Sequence, residues 1–135
     1  MKLATAKYAL RTLGLAAIVF FTGACGSDSA EGVGVRTVSA SEAVKVLASR
    51  VVIDVRSPAE VAEGAITGAK VLDFNAGEFK AKIGDYDRNA AYLVYCRSGN
   101  RSGQAVAIMK ELGFTDVIDA GAFSDLQAAG APTTP

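Results

Sequence analysis

One cysteine stands where an apolar run gives way to a glycine-containing loop and then to a helical pattern. It is Cys96, followed by Arg97, Ser98, Gly99, Asn100, Arg101, Ser102 and Gly103. The run before it, Ala91 to Tyr95, reads as a strand. The spacing of Ala105, Ile108, Met109 and Leu112 predicts a helix from about Arg101, with Gly113 as its stop signal. A thiol at this junction faces the first N–H groups of a helix, which have no intrahelical partners and lie at the positive end of the helix dipole. With Arg97 and Arg101 beside it, the setting favours the anionic sulfur, which is the nucleophilic form. Gly99 is free to take the positive φ that a tight loop with converging N–H groups needs. The chemistry implied is nucleophilic attack by sulfur on an anionic substrate. The bland alternative is an inert thiol closing a core strand, but such a thiol has no use for flanking arginines.

Composition narrows the field further. There is no histidine, which excludes a Cys–His protease pair and histidine-ligated metal sites. No second cysteine lies near Cys96, so Cys-x-x-Cys redox exchange is excluded as well. No metal or cofactor is expected. Beyond the first 24 residues the chain carries 11 Lys and Arg against 14 Asp and Glu, a formal charge of −3. That balance and the scattered aromatics speak against a nucleic-acid partner.

At the Cys96 loop the chain resembles the rhodanese-like sulfurtransferases, whose active loop reads Cys-x-x-Gly-x-Arg, present here as Cys96, Gly99 and Arg101. Val52 to Glu60 is similar to that family's Asp-Val-Arg block, with Asp54 and Arg56. Gly64 to Ala69 is similar to its Gly-His-Ile-x-Gly-Ala block, with Ala65 in the histidine position. Val61 stands where the family carries an aromatic residue, and no tryptophan follows Gly121. The resemblance runs from about Val35 to Ala131. It implies an α/β fold, a single three-layer α/β/α rhodanese-like domain around a mostly parallel five-stranded sheet. It also implies transfer of a sulfane sulfur from an anionic donor such as thiosulfate to a thiol or cyanide, through a persulfide on Cys96. The donor's oxygens would be held by the loop of Arg97, Ser98, Gly99, Asn100, Arg101 and Ser102, with Asp54 and Arg56 in support. Two other readings stay open. A cysteine phosphatase loop places five residues between cysteine and arginine, where this chain places four. A non-catalytic module that carries or senses a persulfide needs the same loop.

The remaining elements must position that loop. Val35 to Val38 reads as a first strand, and Ser39 with Glu42 forms a capping box opening a helix over 40–48. Val51, Val52 and Ile53 form a short β-branched run of the kind covered on both faces in a parallel sheet. Ser57 and Glu60 form a second capping box with Pro58 at the first helical position, so a short helix reaches about Ala62 and stops at Gly64. This assigns Glu60 a local capping role. Asp54 and Arg56, at the end of a strand, read as an ion pair fixing the loop. A strand over 69–73, a helix over 77–83, a strand over 115–118, a turn at Gly121 and a helix over 123–129 complete the alternation of an α/β domain.

The first 24 residues read as a targeting signal, with Lys2, Lys7 and Arg11 preceding the apolar stretch Leu13 to Phe21. Nine apolar residues are too few to span a bilayer. Cleavage before Cys25 would resemble a bacterial lipoprotein signal, with Cys25 lipidated and the domain held at the cell envelope, outside the cytoplasm. Soluble export is the alternative. Residues 25–34 read as a flexible tether, 35–131 as the domain and 132–135 as a disordered tail.

Overall fold

The computed structural model describes residues 33–135. The expected signal at 1–24, Cys25 and most of the expected tether lie outside the described residues. The elements run β1 (Val35–Thr37), α1 (Ala40–Val46), β2 (Val51–Asp54), α2 (Pro58–Ala62), β3 (Ala65–Ile66), β4 (Lys70–Val71), α3 (Glu78–Lys82), β5 (Ala91–Cys96), α4 (Asn100–Glu111), β6 (Asp116–Ala122), α5 (Phe123–Ala128) and β7 (Thr133–Thr134). Both capping boxes form as expected: Ser39 and Glu42 open α1, and Ser57 and Glu60 open α2 behind Pro58.

Five strands make one sheet in the order β1-β6-β5-β2-β4, and every pairing in it is parallel. The alternation of β5 divides the core. Tyr92, Val94 and Cys96 face Phe79 of α3 and Ala105, Val106 and Met109 of α4. Leu93 and Tyr95 face Ala43 of α1 and Leu126 of α5. Burying each large apolar side chain contributes about 1.5–3 kcal/mol, so α4 is held on the sheet and its N-terminus stays beside Cys96.

Two expectations are corrected. Residues 132–135 do not form a disordered tail. Thr133 and Thr134 pair antiparallel with Ile66 and Ala65, and Pro132 O accepts the N–H of Thr67. The physical reason is that β3 has an open edge, and β-branched threonines suit an extended partner. Nor does Gly121 end a strand as a turn. β6 runs on to Ala122, and its register with β5 shifts between Val94 and Cys96, where Val94 pairs with Asp119 but Cys96 with Ala122. Gly121, at φ 73°, is the extra residue of a bulge, and the Asp119 side chain accepts its N–H at 3.0 Å. Bulges of this kind bend a strand beside a functional site.

Candidate active site

Cys96 ends the central strand β5, at the C-terminal edge where parallel sheets gather their sites. The chain then turns through Arg97 and Ser98 to Gly99, whose φ of 90° lies in the left-handed region. Gly99 caps α4 without a side chain, so no side-chain acceptor fills the first N–H groups of the helix. The Gly99 N–H donates to Cys96 Sγ at 2.9 Å. Ser102 Oγ sits 3.7 Å from the same sulfur and donates to Gly99 O at 3.1 Å, which closes the loop on itself. A methyl group at Gly99 would approach Gly121 Cα to 3.5 Å, so the β6 bulge brings the backbone directly against the loop tip.

The loop residues do not share one role. Arg97 and Ser98 are exposed. Asn100 is exposed and its side chain accepts from Gln104 at 2.7 Å. Ser102 is fully buried under the loop, and so is Cys96, with no exposed surface. Arg101 differs most from its expected place. Its two terminal nitrogens grip the two carboxylate oxygens of Glu60 at 2.8 and 2.7 Å, so its planar fork is committed to the protein instead of standing open to a substrate.

Glu60 is therefore more than a local cap. Its Oε2 accepts from the backbone N–H of Ser57 at 3.0 Å and from the Ser57 hydroxyl at 2.9 Å, while Arg101 holds it from the other side. The Arg101 hydrogen bonds lower the Glu60 carboxyl to about 2; burial opposes them and Ser57 adds to them. The same pairing raises Arg101, with smaller contributions from Cys96 and Asp73. The capping box was the visible signal, and it concealed this second role, because nothing local says which distant cation a capping carboxylate will meet.

Asp54 and Arg56 form the expected ion pair, fully buried, with Arg56 Nη2 2.7 Å from Asp54 Oδ2. Arg56 also donates to Glu60 O at 3.3 Å and Gly64 O at 2.7 Å, and its guanidinium lies 4.3 Å from the centre of the Phe123 ring. Tyr95 was not expected in this network. Its hydroxyl donates to Asp54 Oδ2 at 2.6 Å and accepts the N–H of Ile66 at 3.0 Å. Burial, and then the Asp54 hydrogen bond, push its phenol well up. A buried pair is costly unless its remaining donors and acceptors are satisfied. Here Tyr95, Gly64 and Glu60 satisfy them, and β2, β3, α2 and β5 are tied together around the loop.

Beside the loop lies a pocket of about 270 Å³ lined by Arg56, Glu60, Glu63, Arg97, Phe123 and Ser124. Among the described residues no group of three or more His, Cys, Asp or Glu is placed to hold a metal ion. The arrangement suits a nucleophilic sulfur facing an anion: a thiol beside a helix N-terminus, a backbone N–H already on the sulfur and one exposed arginine.

Comparison with known proteins agrees with this geometry. The family model described as rhodanese-like domain matches residues 39–128. The chain is 37% identical over 76 residues to thiosulfate sulfurtransferase PspE of Escherichia coli, covering 55% of this chain and 71% of that protein. It is 42% identical over 74 residues to thiosulfate sulfurtransferase GlpE of Pseudomonas putida, covering 53% of this chain and 64% of that one. Among solved structures, a rhodanese-related protein from Thermoplasma volcanium superposes with a TM-score of 0.65 at 27% identity, over 73% of this chain and 97% of the other. With the loop, the parallel sheet and the family match coinciding over the same residues, the chain belongs to the rhodanese-like domain family.

Proposed function

We propose that the protein is a rhodanese-type sulfurtransferase that carries sulfur from thiosulfate to a thiol or cyanide as a persulfide on Cys96. The observation that carries this reading is the Cys96 sulfur at the unfilled N-terminus of α4, already accepting the Gly99 N–H at 2.9 Å. In the first half-reaction the Cys96 thiolate attacks the outer sulfur of thiosulfate. A bond forms between Sγ and that sulfur, the S–S bond of thiosulfate breaks, and sulfite leaves with the electron pair. In the second, the acceptor attacks the outer sulfur of the persulfide and Cys96 departs as thiolate. No external oxidant or reductant enters. Loop N–H groups stabilise the anionic sulfur in both halves. Arg97, exposed and without an ion-pair partner among the described residues, is the cation available to the donor. Arg101 and Arg56 act by holding the loop, through Glu60 and Asp54 respectively.

Full burial of Cys96 favours a second reading, a module that carries or senses a persulfide without turning over. Catalysis requires residues 97–99 to part far enough to admit the donor. Loading and discharge test the transfer step, and sustained thiocyanate formation with both substrates present, which a module that does not turn over cannot give, separates the two readings. The protein is incubated with thiosulfate, weighed by intact mass spectrometry and then offered cyanide. Gain of one sulfur atom that cyanide removes, absent in Cys96→Ser, supports transfer. An unchanged mass in a folded protein with a titratable thiol refutes it.

The same proposal places the domain at the cell envelope. The basic and apolar signal pattern and Cys25 support export and lipid anchoring. Metabolic labelling with a fatty acid, lost in Cys25→Ser, is the test; a soluble, unlabelled exported protein would refute the anchor.

A further inference from the structure

Four of the six residues around the 270 Å³ pocket are charged, and two of those are spoken for. Arg56 donates to Asp54, Glu60 O and Gly64 O, and both carboxylate oxygens of Glu60 are held by Arg101. Glu63 and Arg97 remain, both exposed and neither with an ion-pair partner among the described residues. Phe123 supplies the apolar wall, and its neighbour Ser124 a free hydroxyl. Arg97 follows Cys96 directly in the chain, so this wall of the pocket is continuous with the reactive loop.

Arg97 serves the donor in the first half-reaction, but its pairing with an open carboxylate matches no ligand that, like thiosulfate, is negative throughout, since Glu63 repels one that settles in the pocket itself. The pairing matches a ligand with both signs. We propose that the pocket between α2 and α5 is the acceptor subsite and selects a small thiol bearing an amino-acid head group, its carboxylate on Arg97 and its ammonium on Glu63. The inference rests on the sulfur-transfer reading above. The acceptor's methylene lies against Phe123 and its sulfur points toward the loop. Its thiolate attacks the outer sulfur of the Cys96 persulfide. One S–S bond forms, the Sγ–S bond breaks, Cys96 leaves as thiolate, and the thiol proton passes to solvent.

The test begins with wild-type protein loaded from thiosulfate labelled in its outer sulfur and then desalted. Discharge is followed by intact mass against cysteine, cysteamine and 3-mercaptopropionate at equal thiolate concentration. Cysteamine lacks the carboxylate and 3-mercaptopropionate lacks the ammonium. Each exposed charge contact is expected to give up to about fivefold in rate, so cysteine discharges the protein several-fold faster than either analogue, with the advantage shrinking in high salt. In Glu63→Gln the lead of cysteine over 3-mercaptopropionate disappears, and in Arg97→Gln its lead over cysteamine disappears. Equal rates for the three thiols on the loaded wild type overturn the inference while sulfur transfer stands. A protein that never takes up the label overturns the transfer reading, and this inference with it.

Discussion

Replacing Glu60 by glutamine keeps its size and removes the charge that both terminal nitrogens of Arg101 grip. The folded protein holds this carboxyl at about 2 against an ordinary 4.5, chiefly through Arg101. Each pKa unit is worth about 1.4 kcal/mol, which caps the contribution of the ionised group at about 3 kcal/mol near neutrality. The two side chains retain 20% and 16% of their exposure, so screening by solvent brings the expected loss to about 1–2 kcal/mol. For a domain of this size that lowers Tm by about 5–10 °C. The pH dependence follows from the direction of the shift. A carboxyl lowered by folding contributes fully above its unfolded value and progressively less as pH falls from about 4.5 toward about 2. Denaturant unfolding of wild type and Glu60→Gln from pH 7 down to 2 should therefore show a gap that narrows below pH 4.5 and closes near 2. Sulfur uptake by the variant at pH 7 should also slow, because Arg101 no longer anchors the first turn of α4 to α2. A gap that persists undiminished at pH 2 would refute the ionic account of this contact.

Removing the Tyr95 hydroxyl in Tyr95→Phe leaves the buried Ile66 N–H without its acceptor and takes one donor from Asp54 Oδ2, which keeps those of Arg56. The expected loss is about 1–3 kcal/mol in urea unfolding, with persulfide loading retained; an unchanged midpoint would show that water or neighbouring groups replace the hydroxyl. Gly99→Ala brings its methyl into ordinary contact with Gly121 Cα at 3.5 Å without a clash, but it forces an L side chain to a φ of 90°. It should cost about 1–2 kcal/mol and slow sulfur uptake by displacing the N–H that faces Sγ; unaltered uptake would separate that N–H from catalysis.

The local features of this domain were legible without coordinates because each depends on neighbours in sequence. Ser39 with Glu42 and Ser57 with Glu60 satisfy helix starts three residues apart. The Asp54–Arg56 pair spans two residues. The apolar run ahead of Cys96, Gly99 and the periodicity of α4 together placed a thiol on a helix N-terminus. The β-branched run at Val51 to Ile53 announced a sheet covered on both faces, and the sheet is parallel throughout.

What the tertiary structure decided are the contacts that cross the sheet order β1-β6-β5-β2-β4. Because β2 lies beside β5, Glu60 meets Arg101 and Tyr95 meets Asp54, each pair 41 residues apart. Because β3 has an open edge, the last threonines form a strand instead of a free tail. Because β6 bulges at Gly121, its backbone reaches the tip of the cysteine loop. Hydrogen-bonding needs and side-chain periodicity are properties of a short stretch of chain. The choice among equally suitable distant partners is made only when packing brings one of them within reach, and here that choice turned Arg101 from a substrate-facing cation into a strut and left Arg97 facing the pocket.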